Sequence, residues 1–130
     1  MRYMLLIYGC ERYEPGTPGY EDTLVRIGEY TRELREQGVF LAADPLHPIE
    51  TATTVRVRDG DVLVTDGPFA ESVEALGGYF VLECRDLDQA LELAARCPLA
   101  ERGCIEVRPI RDLMPDGSTV PVALAERPGA

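Results

Sequence analysis

The chain has 130 residues, of which 45% are hydrophobic and 28% are charged, and its formal net charge at pH 7 is −10. This composition is typical of one soluble globular domain that folds around its own core. The acidic balance argues against nucleic acid and anionic membranes as partners, because both select clustered basic residues. The four cysteines have no Cys-x-x-Cys spacing and the chain has one histidine, so neither a metal nor a cofactor is predicted. The first apolar run is too short for a signal peptide or a membrane span, so we expect a cytoplasmic protein.

The first third of the chain predicts a strand, a helix and a second strand. Tyr3–Tyr8 is apolar on both faces, which is typical of a buried central strand. An amphipathic helix follows from residue 21 and ends at Gly38, with Phe40–Ala43 as the next strand. The helical pattern consists of apolar residues and one threonine at spacings of three and four: Leu24, Ile27, Thr31 and Leu34.

A β-hairpin and an irregular motif occupy the middle of the chain. Thr51–Arg58 is rich in β-branched residues, Asp59-Gly60 is a typical type I′ turn, and Asp61–Thr65 returns as the partner strand. The motif Thr65–Glu71 (Thr-Asp-Gly-Pro-Phe-Ala-Glu) follows directly, and its glycine and proline punctuate the backbone. Phe69 adds a large apolar group where a loop is usually polar. The motif is therefore either a rigid packing device or the lip of a site.

The last part of the chain predicts a strand, a helix, a strand and a tail. Tyr79–Cys84 forms the strand, and Asp86 with Gln89 forms the capping box of the second helix. Cys104–Ile110 is the final strand. Residues 111–130 contain further prolines and glycines, and we expect this tail to wrap the surface or a partner chain.

This order of elements predicts an α+β fold. A βαββαβ chain with right-handed crossovers gives a ferredoxin-like sandwich over residues 1–110, with the β-hairpin as an insertion. The helices of such a sandwich cover one face of the sheet only. We therefore expect a homodimer in which two sheets pack together as a dimeric α+β barrel.

Several segments, in register over roughly residues 1–110, resemble the YCII-related, DGPF-domain family of the dimeric α+β barrel superfamily. The resemblance implies a ferredoxin-like protomer and a homodimer, in a branch that is mostly uncharacterised. The matching segments are Tyr3–Tyr8, Leu46–Pro48, Thr51–Arg56, Thr65–Glu71, Gly77–Tyr79, Asp86–Asp88, Cys97–Pro98 and Glu106–Pro109.

The chain departs from the catalytic relatives at two positions. A related YciI-like branch includes a lyase that removes chloride from a chlorinated hydroxyquinol with a His–Asp pair. That pair lies in the first helix and just before the proline that follows the second helix. Here the first helix has no histidine and Cys97 precedes Pro98, so the resemblance does not extend to this chemistry. Val73 also stands where DGPF sequences often have lysine.

Acid–base chemistry in this chain would rest on His47 and Asp66. His47 is the only side chain that titrates near neutral pH unaided. Asp66 could exchange a proton or orient His47. The structural alternatives are a hydrogen-bonded loop histidine and a carboxylate that caps the following turn.

A ligand pocket is predicted around the central motif and the neighbouring strands. Phe69 and Tyr79 are large aromatic residues beside glycines, which line pockets or pack in cores and dimer contacts. Glu106 and Arg108 alternate onto one strand face as a structural ion pair or an anion site. The predicted pocket residues are Phe69, Glu71, Tyr79, Arg56, Glu106 and Arg108.

Two classes of function remain open from the sequence. The first is a small-molecule-binding protein, with or without acid–base activity on a small metabolite. The second is a non-catalytic regulatory or interaction module, because DGPF-family proteins look like frequent neighbours of extracytoplasmic-function sigma factors. Whether the protein is an enzyme stays open at this point.

Overall fold

A computed structural model describes residues 1–9, 15–70 and 74–111 of the chain. The predicted order of strands and helices is confirmed, and a 3-10 turn at Ile49–Thr51 and another at Pro98–Glu101 are added. Glu71 and nearly all of the predicted tail lie outside the described residues. The strands and helices are β1 (Arg2–Tyr8), α1 (Tyr20–Glu36), β2 (Phe40–Pro45), β3 (Thr53–Arg58), β4 (Asp61–Asp66), β5 (Leu76–Glu83), α2 (Leu87–Arg96) and β6 (Cys104–Pro109).

Four of the strands form one antiparallel sheet in the order β2-β5-β1-β6. The two strands that open the two βαβ units, β1 and β5, are the central pair, and β2 and β6 are the edges. This order and the two helices confirm the ferredoxin-like α+β fold.

The core lies between this sheet and the helices. Alternate residues of β1 and β5 are buried, among them Leu5 and Leu82, which have no exposed surface. Tyr30 joins the two helices and the sheet, because its hydroxyl donates to the Leu93 carbonyl at 2.6 Å and its ring meets Phe80 edge-on at 5.5 Å. The opposite sheet face, called the bare face, carries the half-buried side chains of Met4, Leu6, Tyr79 and Val81.

The apolar stripe that predicts α1 does not go entirely into this core. Leu34 is buried, but Leu24 is 44% exposed. The other residues that α1 buries are Thr23 and Tyr30, which lie outside the predicted stripe. Periodicity therefore identifies the helix correctly, while the stripe itself is divided between the core and a neighbouring cleft.

The capping box of α2 is confirmed at the predicted position. The Asp86 side chain accepts a hydrogen bond from the Gln89 backbone N–H at 2.9 Å. The Gln89 side-chain oxygen accepts in turn from the Arg85 backbone N–H at 2.8 Å. These contacts satisfy donors at the start of the helix, which is what the Asp-x-x-Gln spacing predicts.

The hairpin of β3 and β4 forms a separate two-stranded sheet. Its tight turn has positive φ at Asp59 (53°) and Gly60 (83°), as a type I′ turn requires. Val55 pairs with Val64 and Val57 pairs with Val62, so all four valines share one side of the ladder. Each of these valines is exposed by more than half. This side is called the valine face.

The turn at residues 66–69, the Asp-Gly-Pro-Phe turn, is hydrogen-bonded to the base of the hairpin. The Gly67 N–H donates to the Ala52 carbonyl at 2.7 Å, and the Thr54 hydroxyl donates to the Gly67 carbonyl at 2.8 Å. Gly67 has a φ of 98°, a conformation that residues with a Cβ rarely adopt. The turn thus fixes the direction in which the chain leaves β4.

Candidate functional site

A cleft of about 850 Å³ lies between α1 and the part of the sheet formed by β2 and β5. Its size is within the range of small-molecule sites in proteins. Polar side chains surround a mostly apolar interior, which is the usual composition of such sites. The apolar lining residues include Ile7, Leu24, Ile27, Phe40, Phe80 and Leu99.

Helix α1 contributes one continuous row of side chains to the cleft. The row contains Tyr20, Leu24, Ile27, Thr31 and Arg35, and the spacing of three or four residues places them on one side of the helix. The Thr31 hydroxyl donates to the Ile27 carbonyl at 2.8 Å, so it is satisfied within its own helix. The row therefore offers the cleft an apolar wall that ends in a cation.

That cation, Arg35, differs from the other arginines of α1. Its guanidinium lies 4.2 Å from the centre of the Phe40 ring. Arg26 pairs with Glu101 through two hydrogen bonds, and Arg32 lies 3.9 Å from Glu36. Arg35 forms no ion pair with a carboxylate in the described parts of the chain. It is thus a charge at the cleft that no described acidic side chain neutralises.

Acidic and imidazole groups lie at the other end of β2. His47 and Glu50 line the cleft, and Asp44 borders it, although its position opposite Tyr79 places its carboxylate on the bare face. The Tyr79 hydroxyl donates to Asp44 Oδ2 at 2.7 Å, and this hydrogen bond raises the pKa of Tyr79 because ionisation would remove it. The Leu46 N–H donates to the Gly77 carbonyl at 2.8 Å, which attaches the start of the loop after β2 to β5.

The two predicted catalytic residues occupy different places. His47 lines the cleft, whereas Asp66 is the exposed last residue of β4 and does not. Neither side chain has a hydrogen bond or ion pair to the other, or to any other group within residues 1–9, 15–70 and 74–111. The structure therefore does not bring the pair together, and Asp66 is not positioned to orient the imidazole. A catalytic role for either residue stays a prediction.

The predicted pocket residues are also divided. Tyr79 lines the cleft. Arg56 and Phe69 lie at the base of the hairpin, joined by a 3.5 Å contact from the guanidinium to the Phe69 carbonyl. Glu106 and Arg108 lie on β6, at the sheet edge opposite β2, and no ion pair joins them in the described structure. Of the five that the structure describes, only Tyr79 therefore borders this cleft, and Glu71 lies outside the described residues.

Two of the cysteines within the described residues, Cys84 and Cys104, do not provide an activated thiolate. The Cys104 thiol donates to Glu74 Oε2 at 3.3 Å, and this contact with a carboxylate raises its pKa. Burial raises the pKa of Cys84. A nucleophilic cysteine needs the opposite shift.

Metal ligation and membrane insertion can be examined only for the part of the chain that the structure describes. Within it, no three side chains among His, Cys, Asp and Glu converge as a metal would require. No helix in the same residues has the length and apolar character to cross a bilayer.

Sequence reasoning missed Arg35 and Asp44, which are the charged groups at the two ends of β2. Arg35 could have been found, since it continues the stripe of Leu24, Ile27 and Thr31 by one more step of four. Asp44 gave no such signal, because an Asp-Pro pair after a strand reads first as a turn.

Fold and cleft together define a ferredoxin-like α+β protein with a ligand-sized site between its first helix and its sheet. The family model of the YCII-related domain matches residues 1–114. The chain is also 34% identical over 114 residues to an uncharacterised protein, R00369, of Rhizobium meliloti (strain 1021), with 85% of this chain and 92% of that protein covered. The chain therefore belongs to the YCII-related family, and the resemblance in the sequence is confirmed. This relative supplies no substrate or reaction.

Proposed function

We propose that this protein binds a small molecule in the cleft between α1 and β2. The observation that supports the proposal most is the composition of the cleft, in which an apolar interior is combined with the polar groups of Arg35, His47 and Glu50. Apolar walls provide affinity for a ligand, and a few placed polar groups fix its orientation. Leu24, on the row of α1 that lines this space, is 44% exposed and therefore adds little to the core.

A ligand screen with two matched variants tests this proposal. Leu24→Trp adds bulk to the lining of the cleft, whereas Val25→Trp adds the same bulk to the adjacent residue of α1, which does not line the cleft. Compounds that occupy the cleft should raise the melting temperature of the natural protein and of Val25→Trp, but not of Leu24→Trp. A compound that stabilises all three proteins equally binds elsewhere, and such a result throughout the screen would contradict the proposal.

Acid–base activity on the bound molecule, the more specific prediction, would depend on His47. The other predicted member of the pair, Asp66, does not line the cleft. If a cleft ligand is converted, His47→Gln should abolish conversion, and Asp66→Asn should retain it. Loss of conversion in Asp66→Asn with binding intact would show that a rearranged site uses both residues.

A homodimer is the assembly that we propose for this protein. The valine face and Phe69 expose on the order of 450 Å² of apolar surface, at roughly 80–100 Å² for each side chain. A standard interface buries about 800 Å² on each partner, so the half-buried residues of the bare face would supply the remainder. The sheet packing expected of a dimeric α+β barrel uses the same bare face.

A regulatory module that binds a different protein is the second candidate, and the exposed valine face is the observation that favours it. An association with sigma factors and a cytoplasmic location stay predictions. Sedimentation separates the two assemblies, since a homodimer forms from the purified chain alone. A monomer at micromolar concentration would favour the second candidate.

A further inference from the structure

The cleft is elongated and its two ends differ in charge. Arg35 lies in the last turn of α1 and Phe40 begins β2, whereas the far end of that strand, which leads to His47 and Glu50, is about 13 Å away at 3.3 Å per residue. On the helix side, the row from Leu24 to Arg35 extends for about 16 Å at 1.5 Å per residue. The cleft thus has a cationic end and an acidic end, with an apolar stretch between them.

The cationic end has the properties of a carboxylate site. The chain has 23 acidic and 13 basic residues, so acceptors for an arginine are in excess, and yet Arg35 has no carboxylate partner among the described residues. The other two arginines of α1, Arg26 and Arg32, each have one. Contact with the Phe40 ring limits the orientations of the guanidinium and leaves its N–H groups available for a planar acceptor. A carboxylate can accept two of these hydrogen bonds in parallel.

The acidic end restricts the ligand further. Glu50, which lines this end of the cleft, would repel a second carboxylate and can accept a hydrogen bond from a hydroxyl or an ammonium group. Between the ends, Ile7, Ile27 and Phe80 offer only apolar contacts. The ligand that fits these three regions has one anionic end, an apolar body and no second anion.

We infer that the cleft takes an elongated apolar monocarboxylate, with its carboxylate on Arg35 and its apolar body along α1. This inference rests on the proposed function, since it assigns a ligand class to the same cleft. Arg35 then determines the specificity for a carboxylate. The end of the cleft near His47 accommodates the opposite end of the natural ligand.

Calorimetric titration with three compounds of equal chain length tests the inference. The compounds are decanoate, decanedioate and decylamine, which differ only in their end groups. We expect decanoate to bind at least about tenfold more tightly than either of the others, because decylamine offers Arg35 no acceptor and decanedioate brings a second anion to the acidic end. Binding of decanoate should also weaken as salt is added, because the rim of the cleft is open to solvent.

Matched variants on α1 provide the controls. Arg35→Gln should weaken decanoate binding by about tenfold or more and leave decylamine binding unchanged, whereas Arg35→Lys should retain part of the affinity. Arg32→Gln changes an exposed arginine of the same helix that does not line the cleft, and it should bind decanoate as the natural protein does. Circular dichroism confirms that each variant is folded.

Three results would overturn the inference. The first is equal affinity of Arg35→Gln and the natural protein for decanoate, which would leave Arg35 with only a role at the helix end. The second is tighter binding of decanedioate or decylamine than of decanoate. The third is failure of decanoate to bind, while the ligand screen yields a neutral or cationic compound whose binding is lost in Leu24→Trp. That last result rejects the ligand class and retains the proposed function, whereas insensitivity of every ligand to Leu24→Trp rejects the function itself.

Discussion

The four-stranded sheet and the hairpin have similar residue patterns, but they differ in what covers their apolar faces. In the sheet, β1 and β5 alternate between buried and half-buried residues, and Leu82 has no exposed surface. The hairpin has the same β-branched alternation, yet all six residues of β4 are exposed and Val64 is 65% exposed. Alternation therefore shows that a segment forms a strand, and it does not show what covers that strand. The sheet is covered by its own helices, whereas the valine face has no cover from the described part of the chain.

A pair of leucine truncations should show the largest difference between the two regions. Leu82→Ala empties a fully buried site in β5 and should lower the free energy of unfolding by about 2–5 kcal/mol. Leu63→Ala in β4 should change the stability of the dissociated chain by less than about 0.5 kcal/mol, since the residue is already half exposed. Urea unfolding at low protein concentration measures both. Similar losses in the two variants would mean that the hairpin is packed as tightly as the sheet.

Substitution of two tyrosines by phenylalanine compares the contribution of a buried hydrogen bond to stability with that of an exposed one. Tyr30→Phe removes the 2.6 Å hydrogen bond to Leu93 and leaves a buried carbonyl without this donor, so we expect a loss of about 1–2 kcal/mol. Tyr79→Phe removes the hydrogen bond to Asp44, where water can replace the hydroxyl, and should have little effect. Thermal unfolding of both variants checks the order, and a larger loss for Tyr79→Phe would contradict it.

Replacement of two glycines by alanine should change the stability of the protein in opposite directions. Gly67 has a φ of 98°, so Gly67→Ala forces strain into the Asp-Gly-Pro-Phe turn and should destabilise it by about 1 kcal/mol. Gly28 lies within α1 with open space around the position of a Cβ, so Gly28→Ala should stabilise the protein by about 0.5–1 kcal/mol. Hydrogen exchange at the base of the hairpin shows whether the first effect is local. Faster exchange confined to α1 would be inconsistent with this account.

The smallest effect should come from an exposed ion pair. Two hydrogen bonds from Arg26 lower the pKa of Glu101, so this carboxylate stabilises the fold above its unfolded pKa. That contribution is lost as the pH falls through the lowered pKa in the folded state. Glu101→Gln should therefore lower the melting temperature slightly at pH 7 and have no effect at about pH 2. Glu92→Gln, at an exposed α2 residue that forms no ion pair within the described residues, is the control and should leave the melting temperature at pH 7 unchanged.

The fold was predictable because its signals are local and agree with one another. The stripe of α1, the Asp-Gly turn of the hairpin and the Asp-x-x-Gln box of α2 each determine a single element, and a βαββαβ order leaves few topologies. The site was less predictable because it depends on side chains from distant segments. His47 and Tyr79 were expected near a pocket and line the cleft, whereas Glu106 and Arg108 lie on the far edge of the sheet because of the strand order.

The residues that the sequence could not reveal share one property. Arg35 and Leu24 belong to a stripe whose periodicity is the same whether it faces a core or a cleft. Only the packing of β2 and β5 below α1 decides between the two, and that packing depends on residues far away in the chain. Asp66 shows the converse, because its position in a conspicuous motif suggested chemistry that the geometry does not support.

Sedimentation equilibrium of the natural protein and two β4 variants tests most directly whether the valine face needs a second copy of the chain. Val64 and Thr65 are adjacent and lie on opposite sides of the hairpin. We predict a dimer for the natural protein and for Thr65→Glu at micromolar concentration, and a monomer for Val64→Glu, because the added carboxylate would be buried in the interface. A natural protein that stays monomeric, or a Val64→Glu variant that dimerises with unchanged affinity, would contradict the account.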